Sequence, residues 1–381
     1  MKTEVCKMLG LELPVFAFTH CRDVVVEVSR AGGMGVLGAV GFTPEQLREE
    51  LAWIDEHIQG KPYGVDILIP GRTETSSPDA PSRANQPHSL EDLLARIPQQ
   101  HRQFMEDYCI KNNIPELPSD LAAALLNAEY GRINMSPTSS ASLVDVALEF
   151  PVSLVVNALG TPAKEQVDKL HARGIKVASL VGKTEHAIAQ VAAGVDIIVA
   201  QGSEAGGHTG NISSMVLWPQ VVDAVAPVPV LAAGGIGRGR QMAAALALGA
   251  EGIWCGSIWL GTEQSELGTA MKERLFTAKS EDAIQSRALS GKPCRMLRSG
   301  FSDAWAQPGT LPPLPMPLQT LLTLEARLRI ERAEVTEHMG YPVGQIVGDM
   351  QQESSVKTVI YDLLNEFLES THRINQLLES E

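Results

Sequence analysis

Residues 195–257 read VDIIVAQGSEAGGHTGNISSMVLWPQVVDAVAPVPVLAAGGIGRGRQMAAALALGAEGIWCGS. Three apolar runs mark this region, at 195–200, 228–233 and 252–260. Between them, 218–225 and 241–248 carry helical patterns, the second rich in Ala and Leu. The runs are continuous, as strands are when a parallel sheet buries both of its faces. Strand, glycine-rich turn and helix therefore form the repeating unit to seek on either side.

Upstream the unit recurs. Apolar runs at 14–18, 34–40, 63–69, 152–159 and 176–181 predict five more strands. Helical patterns occupy 22–31, 162–173 and 185–193. Another begins at Thr43-Pro44-Glu45, an N-cap, a first-turn proline and an acidic first turn. Leu47, Leu51, Ile54 and Ile58 then lie on one helical stripe. Eight strands with a helix feasible in every gap predict an α/β fold, a closed (β/α)8 TIM barrel. An open doubly wound sheet would carry G-x-G-x-x-G after an early strand. Gly32-Gly33-Met34-Gly35 precedes a strand instead.

A barrel takes ~250 residues, so a chain of 381 has a surplus. It falls in two places. Segment 70–139, after the third strand, is Pro/Ser/Asn-rich at both ends, with helical stretches near 89–111 and 119–130. Its position suits a cover over the barrel mouth. Residues 291–317 are Pro-rich and read as irregular, and 318–338 and 356–379 read as helices. The expected organisation is a barrel at 1–290, insertion included, and an extension at 291–381 that packs on the barrel or on a second subunit of a homodimer. Leu321, Leu324, Leu328, Ile360, Leu363, Leu364 and Phe367 supply apolar positions for that contact.

Composition narrows the function. With 44% hydrophobic and 20% charged residues the chain can build a sizeable core, and global disorder is excluded. The net charge of −14 argues against nucleic acid and anionic membranes as partners. An anionic small molecule remains compatible, because backbone N–H groups can bind a phosphate locally. Cys6, Cys21, Cys109, Cys255 and Cys294 are scattered, with no C-x-x-C, so neither a disulfide framework nor a metal site is expected. No run of 18 apolar residues is present, and MKTEVCKMLGLELP lacks the apolar core of a signal peptide, so a cytoplasmic location is expected.

Barrel active sites lie at the C-terminal ends of the strands, often with phosphate bound after strands seven and eight. That rule selects Gln201 to Gly210, Gly234-Gly235-Ile236-Gly237 and Gly256-Ser257. Glycines let the backbone approach a ligand and offer N–H groups to a phosphate. His208, in a glycine-rich loop, is a candidate acid or base, or a loop histidine that caps a backbone carbonyl. Glu204 reads as a solvated or loop-ordering carboxylate.

VAQGSEAGGHTG (199–210), PVLAAGGIGRGRQMAAALALGAEGIWCGS (229–257) and AGGMGVLGA (31–39) resemble the nitronate monooxygenase family, formerly the 2-nitropropane dioxygenases. The resemblance covers roughly 10–70 and 140–265 and implies an FMN-containing TIM barrel. It assigns the FMN phosphate to Gly234, Gly235, Gly256 and Ser257. It puts Gln201 beside the flavin ring and has Gly206 and Gly207 pass close to it. His208 matches the family's catalytic histidine. The implied reaction is oxidation of alkyl nitronates with O2 to carbonyl compounds and nitrite.

The chain also departs from the family. Ala17-Phe18-Thr19-His20-Cys21-Arg22-Asp23 replaces an Ala-Pro-Met-type segment, and Gly64-Val65-Asp66 replaces Gly-Val-Asn. Asp66 then joins the cofactor-binding set. An anionic Asp66 would alter the ring electrostatics unless protonated or paired, for example with Arg22 or Lys183. His20, Cys21 and Lys183 are further candidates for lining the site, with Cys21 read foremost as a small buried hydrophobe. The extra segments suggest an alternative: an NAD(P)H- or flavin-dependent reductase or dehydrogenase of an enoyl- or keto-acyl-CoA, of the steroid-ring-catabolism type, or of a quinone.

Overall fold

Side chains on a strand point alternately to its two faces, and here both faces find apolar partners. The computed structural model describes residues 1–69, 89–133 and 143–379. Its eight barrel strands are β1 (Val15–Thr19), β2 (Met34–Gly38), β3 (Gly64–Ile67), β4 (Leu154–Asn157), β5 (Lys176–Val181), β6 (Ile197–Gln201), β7 (Val230–Ala233) and β8 (Gly252–Cys255). They are parallel, pair in sequence order and close between β8 and β1, where Phe16 is in register with Trp254 and Ala17 with Cys255. The fold is a (β/α)8 TIM barrel.

Helix α1 (Glu4–Leu9) precedes the barrel, and α2 (Arg22–Arg30) and α3 (Pro44–His57) follow β1 and β2. Between β3 and β4 lie α4 (Leu90–Ala95), α5 (Gln99–Lys111), α6 (Ser119–Ile133) and α7 (143–147). Helices α8 (Lys164–His171), α9 (Thr184–Ala192), α10 (Ser214–Val225) and α11 (Gly239–Ala247) follow β4 to β7. Beyond β8 come α12 (Thr269–Thr277), β9 (Ala283–Ser286), β10 (Cys294–Leu297), α13 (Gly300–Ala306), α14 (Leu318–Arg332) and α15 (Val356–Glu379). The start of α3 is fixed locally: Thr43 and Gln46 form a capping box, a device worth about 1 kcal/mol.

Val65, Ile67, Val155, Ile198 and Ile253 face the surrounding helices. Phe16, Met34, Val36, Leu154, Val156, Val199, Leu231 and Trp254 fill the barrel interior. Val5, Cys6 and Leu9 of α1 join that inner core and close the end where the strands begin. A second core lies outside the barrel. Met105 and Tyr108 of α5 pack there with Leu275, Phe301, Trp305, Ile330 and Val347. The two surplus regions of the sequence thus pack on each other.

Several boundaries differ from expectation. Strand β8 stops at Cys255, and Ser257–Gly261 forms a 3-10 turn, so Gly256 and Ser257 follow the strand instead of lying within it. The stretch 291–317 is not uniformly irregular: β10 pairs antiparallel with β9 across residue 290, and α13 follows. The helix expected from 318 ends at Arg332, with a separate 3-10 turn at Thr336–His338. Helix α10 starts at Ser214, before the expected 218, because a carboxylate distant in the loop caps it. The stretch 89–111 is two helices, with Pro98 as the N-cap of the second. The Pro/Ser/Asn-rich ends of the insertion, at 70–88 and 134–142, lie outside the described residues.

Candidate active site

Gln201 ends β6, and Gly234 follows β7 on the adjacent strand. Trp218 of α10 locks these two strand ends together, its indole N–H lying 3.1 Å from the carbonyls of both Ala200 and Ala233. Gly234 and Gly235 have φ of 103° and 70°, a region closed to most side chains. A Cβ on Gly256 would meet nothing nearer than Phe18 at 3.7 Å, so protein packing leaves that flank open. Among the described residues no backbone acceptor is bonded to the N–H of Gly235, Gly256 or Ser257. Free amides beside an open glycine suit an anion such as a flavin phosphate. The Ser257 hydroxyl accepts from Gly344 N–H at 2.8 Å, which ties the cradle to the C-terminal extension.

The loop after β6 carries His208. Ser203 N–H donates to Ile212 at 2.8 Å and closes its neck. The Glu204 carboxylate accepts from the N–H of Ser214 at 3.0 and 3.1 Å and from its hydroxyl at 2.8 Å, capping α10. Gly206 is dictated by close approach: a Cβ there would lie 2.8 Å from the Val343 backbone. Gly207 has φ 78° and forms an antiparallel bridge with Arg295 of β10.

His208 is exposed, and its Nδ1 lies 2.9 Å from the carbonyl of Pro293. A carbonyl only accepts, so Nδ1 carries the proton and the neutral ring keeps its lone pair on Nε2. Ser290 Oγ is 3.4 Å from Nε2, at the outer limit of a hydrogen bond, so that lone pair is only weakly engaged. An imidazole held in one tautomer in a loop at the barrel mouth can exchange a proton with a bound small molecule.

Residues 18–366 match the profile of the nitronate monooxygenase family. The chain belongs to the nitronate monooxygenase family. It is a flavin-dependent oxidoreductase. Among relatives, a putative monooxygenase of Mycobacterium tuberculosis is 45% identical over 388 residues, spanning all of both chains. Nitroalkane oxidase from Streptomyces ansochromogenes superposes with a TM-score of 0.76 at 25% identity, over 97% of this chain and 99% of that one. FabK from Thermotoga maritima gives 0.74 at 26% identity, over 99% of each.

The remaining candidates sort by geometry. Asp66 alternates with the outward-facing Val65 and Ile67, so it faces the barrel interior, in register with Gly38 and Val156. It is 2% exposed, and its Oδ1 has no hydrogen-bond partner among the described residues. Burial pushes its pKa well above the usual carboxylate range. The cations expected to pair with it are elsewhere. Arg22 donates to Glu50 at 3.3 Å and stacks 4.5 Å over Trp53. Lys183, exposed at the N-cap of α9, makes no ion pair among the described residues. An interior-facing acid whose pKa burial raises, with an oxygen unpartnered among the described residues, suits the polar edge of a nitronate monooxygenase flavin.

His20 is exposed and its Nδ1 is 2.7 Å from the Gly38 carbonyl, at the strand end beside Asp66. Cys21 is buried, its thiol donates to Gln264 at 2.9 Å, and burial raises its pKa. It is a packed thiol whose burial disfavours the nucleophilic thiolate. Gln201 is half-buried, and its side chain has no hydrogen-bond partner among the described residues. Sequence reasoning missed Pro293, Arg295 and Gly344. The only local signal was the alternation in Cys294-Arg295-Met296, too short to separate from a loop in a Pro-rich stretch.

Proposed function

We propose that this protein is an FMN-dependent nitronate monooxygenase that oxidises alkyl nitronates with O2 to carbonyl compounds and nitrite. The observation that carries this reading is the pinned tautomer of His208: Pro293 holds Nδ1–H at 2.9 Å and leaves Nε2 as the base. FMN, when bound, supplies the redox chemistry that links substrate oxidation to O2. Gly234, Gly235, Gly256 and Ser257 would hold its phosphate, and Gln201 and Asp66 would meet the ring.

His208 takes the acidic proton from the carbon beside the nitro group of a neutral nitroalkane at Nε2. The resulting imidazolium is stabilised by the Pro293 carbonyl. With a preformed nitronate no proton need leave carbon, and protonated Nε2 instead donates to a nitronate oxygen. The test is oxygen uptake and nitrite release with propyl-2-nitronate. Nitrite no higher than in a His208→Ala control sinks the reading. Extraction of the bound flavin and comparison with authentic FMN and FAD decides the cofactor.

A second reading keeps the flavin but makes the substrate a bulky acyl-CoA or a quinone, with NADH or NADPH as donor. It is favoured by a cavity of about 330 Å³ between α4, α5, α6 and α14, lined by Leu94, Ile97, Met105 and Leu321 together with the charged Arg102, Glu106, Glu325 and Arg329. Anaerobic stopped-flow reduction with NADH, NADPH and a nitronate, side by side, separates the two. The same proposal places the enzyme in the cytoplasm. No described helix is long and apolar enough to cross a membrane. Exposed Leu368, Ile374, Leu377 and Leu378 near the end of α15 support a homodimer, which sedimentation would test.

A further inference from the structure

The loop that carries His208 is held at two points by one residue outside the barrel. Its tip is held by backbone: Gly207 N–H donates to the Arg295 carbonyl at 3.0 Å, and Arg295 N–H donates to the Gly207 carbonyl at 2.7 Å. Its neck is held by side chain: Arg295 Nε donates to the Ser203 carbonyl at 2.8 Å. A second guanidinium nitrogen, Nη1, donates to the Ala283 carbonyl of β9 at 2.5 Å. Two residues before Arg295, Pro293 supplies the carbonyl that fixes the His208 tautomer. A planar guanidinium can span two carbonyls in fixed geometry where a flexible ammonium cannot. Its burial costs some of its affinity for protons, while Glu204 nearby favours the charged form.

We propose that Arg295 is a positioning residue for His208: by bracing the loop neck against the β9–β10 hairpin, it keeps Nδ1 on the Pro293 carbonyl and Nε2 turned to act as base. This rests on the reading of His208 as that base. It gives the C-terminal extension a role in catalysis. The hairpin is in turn fastened to α14, where Gln319 donates to the Ala288 carbonyl at 2.9 Å. Changes in the packing of α14 therefore reach His208 through Arg295.

The test uses the full-length protein with Arg295→Met, Arg295→Lys and His208→Asn. The direct readout is the imidazole ¹⁵N spectrum, with the His208 signals identified by their loss in His208→Asn. The wild type shows a neutral Nδ1–H tautomer. Arg295→Met shows tautomer averaging, and Arg295→Lys lies between, because one ammonium reaches one carbonyl. In turnover, Arg295→Met slows a neutral nitroalkane roughly tenfold or more while leaving the preformed nitronate within about twofold, since only the first needs proton removal from carbon. Wild-type ¹⁵N shifts in both Arg295 variants, or equal loss on both substrates with unchanged shifts, overturn the proposal and leave Arg295 a stabilising residue only. If His208→Asn keeps full nitroalkane turnover, the base assignment is what fails, and the ¹⁵N spectra alone then decide whether Arg295 orients the ring. Should Arg295→Met not fold, Arg295→Lys carries the test, with wild-type His208 shifts as the overturning result.

Discussion

His208 Nδ1 and the carbonyl of Pro293 lie 2.9 Å apart across 85 residues of sequence. Because the carbonyl cannot donate, this one contact determines which ring nitrogen is free to accept a proton. It also makes a barrel loop depend on a hairpin that is no part of the barrel.

His208→Ala should lower kcat/KM for a neutral nitroalkane by about 10²- to 10⁴-fold, the usual worth of a positioned base. Preformed nitronate should lose much less. Steady-state oxygen consumption with both substrates checks this, and equal losses would count against a base role.

Gly256→Ala separates packing from ligand binding. Gly256 has φ −118°, which alanine accepts, and its added Cβ has open space. The flavin-free protein should melt as the wild type does, within about 0.5 kcal/mol. Flavin affinity, read by fluorescence titration, should fall at least tenfold. Unchanged affinity would remove Gly256 from the cradle.

Asp66→Asn should stabilise the flavin-free protein at neutral pH. Burial raises the folded-state pKa of Asp66, so between the unfolded value of about 3.9 and the raised value the native state holds the extra proton. Stability therefore falls as pH rises through that window, and asparagine, which does not ionise, escapes the loss. The melting-temperature advantage of the variant should be a few degrees at pH 7.5 and shrink towards pH 4. An advantage independent of pH would contradict the buried-acid account.

The cysteines should be inert in the folded protein. All five are free and buried, and burial raises the pKa of Cys21 and pushes Cys255 and Cys294 up to about 12 and about 11. Thiol titration at pH 7 should give almost no fast-reacting groups in the native state and five in denaturant. A single fast thiol lost in Cys21→Ser would restore Cys21 as a reactive group at the mouth.

The local features of this protein were legible because their physics is local. Continuous apolar runs announce strands buried on both faces, Thr43-Pro44 announces a helix start, and the glycines after β6, β7 and β8 fall where a barrel binds ligands. His208 was singled out on the same grounds, by its place in a glycine-rich loop after β6. The start of α10 was not, since Glu204 caps it from across the loop.

The sequence by itself determined the barrel and pointed to the glycines after β7 and β8 and to His208, because the signal for each strand, turn and helix is local. Only the tertiary structure decided the His208 tautomer, the bracing by Arg295, the isolation of Asp66 from Arg22 and Lys183, and the shared core of the two surplus regions. Those depend on contacts between segments far apart in sequence. Such contacts leave no period in the chain and exist only once the loops have been closed against the entropy that opposes them.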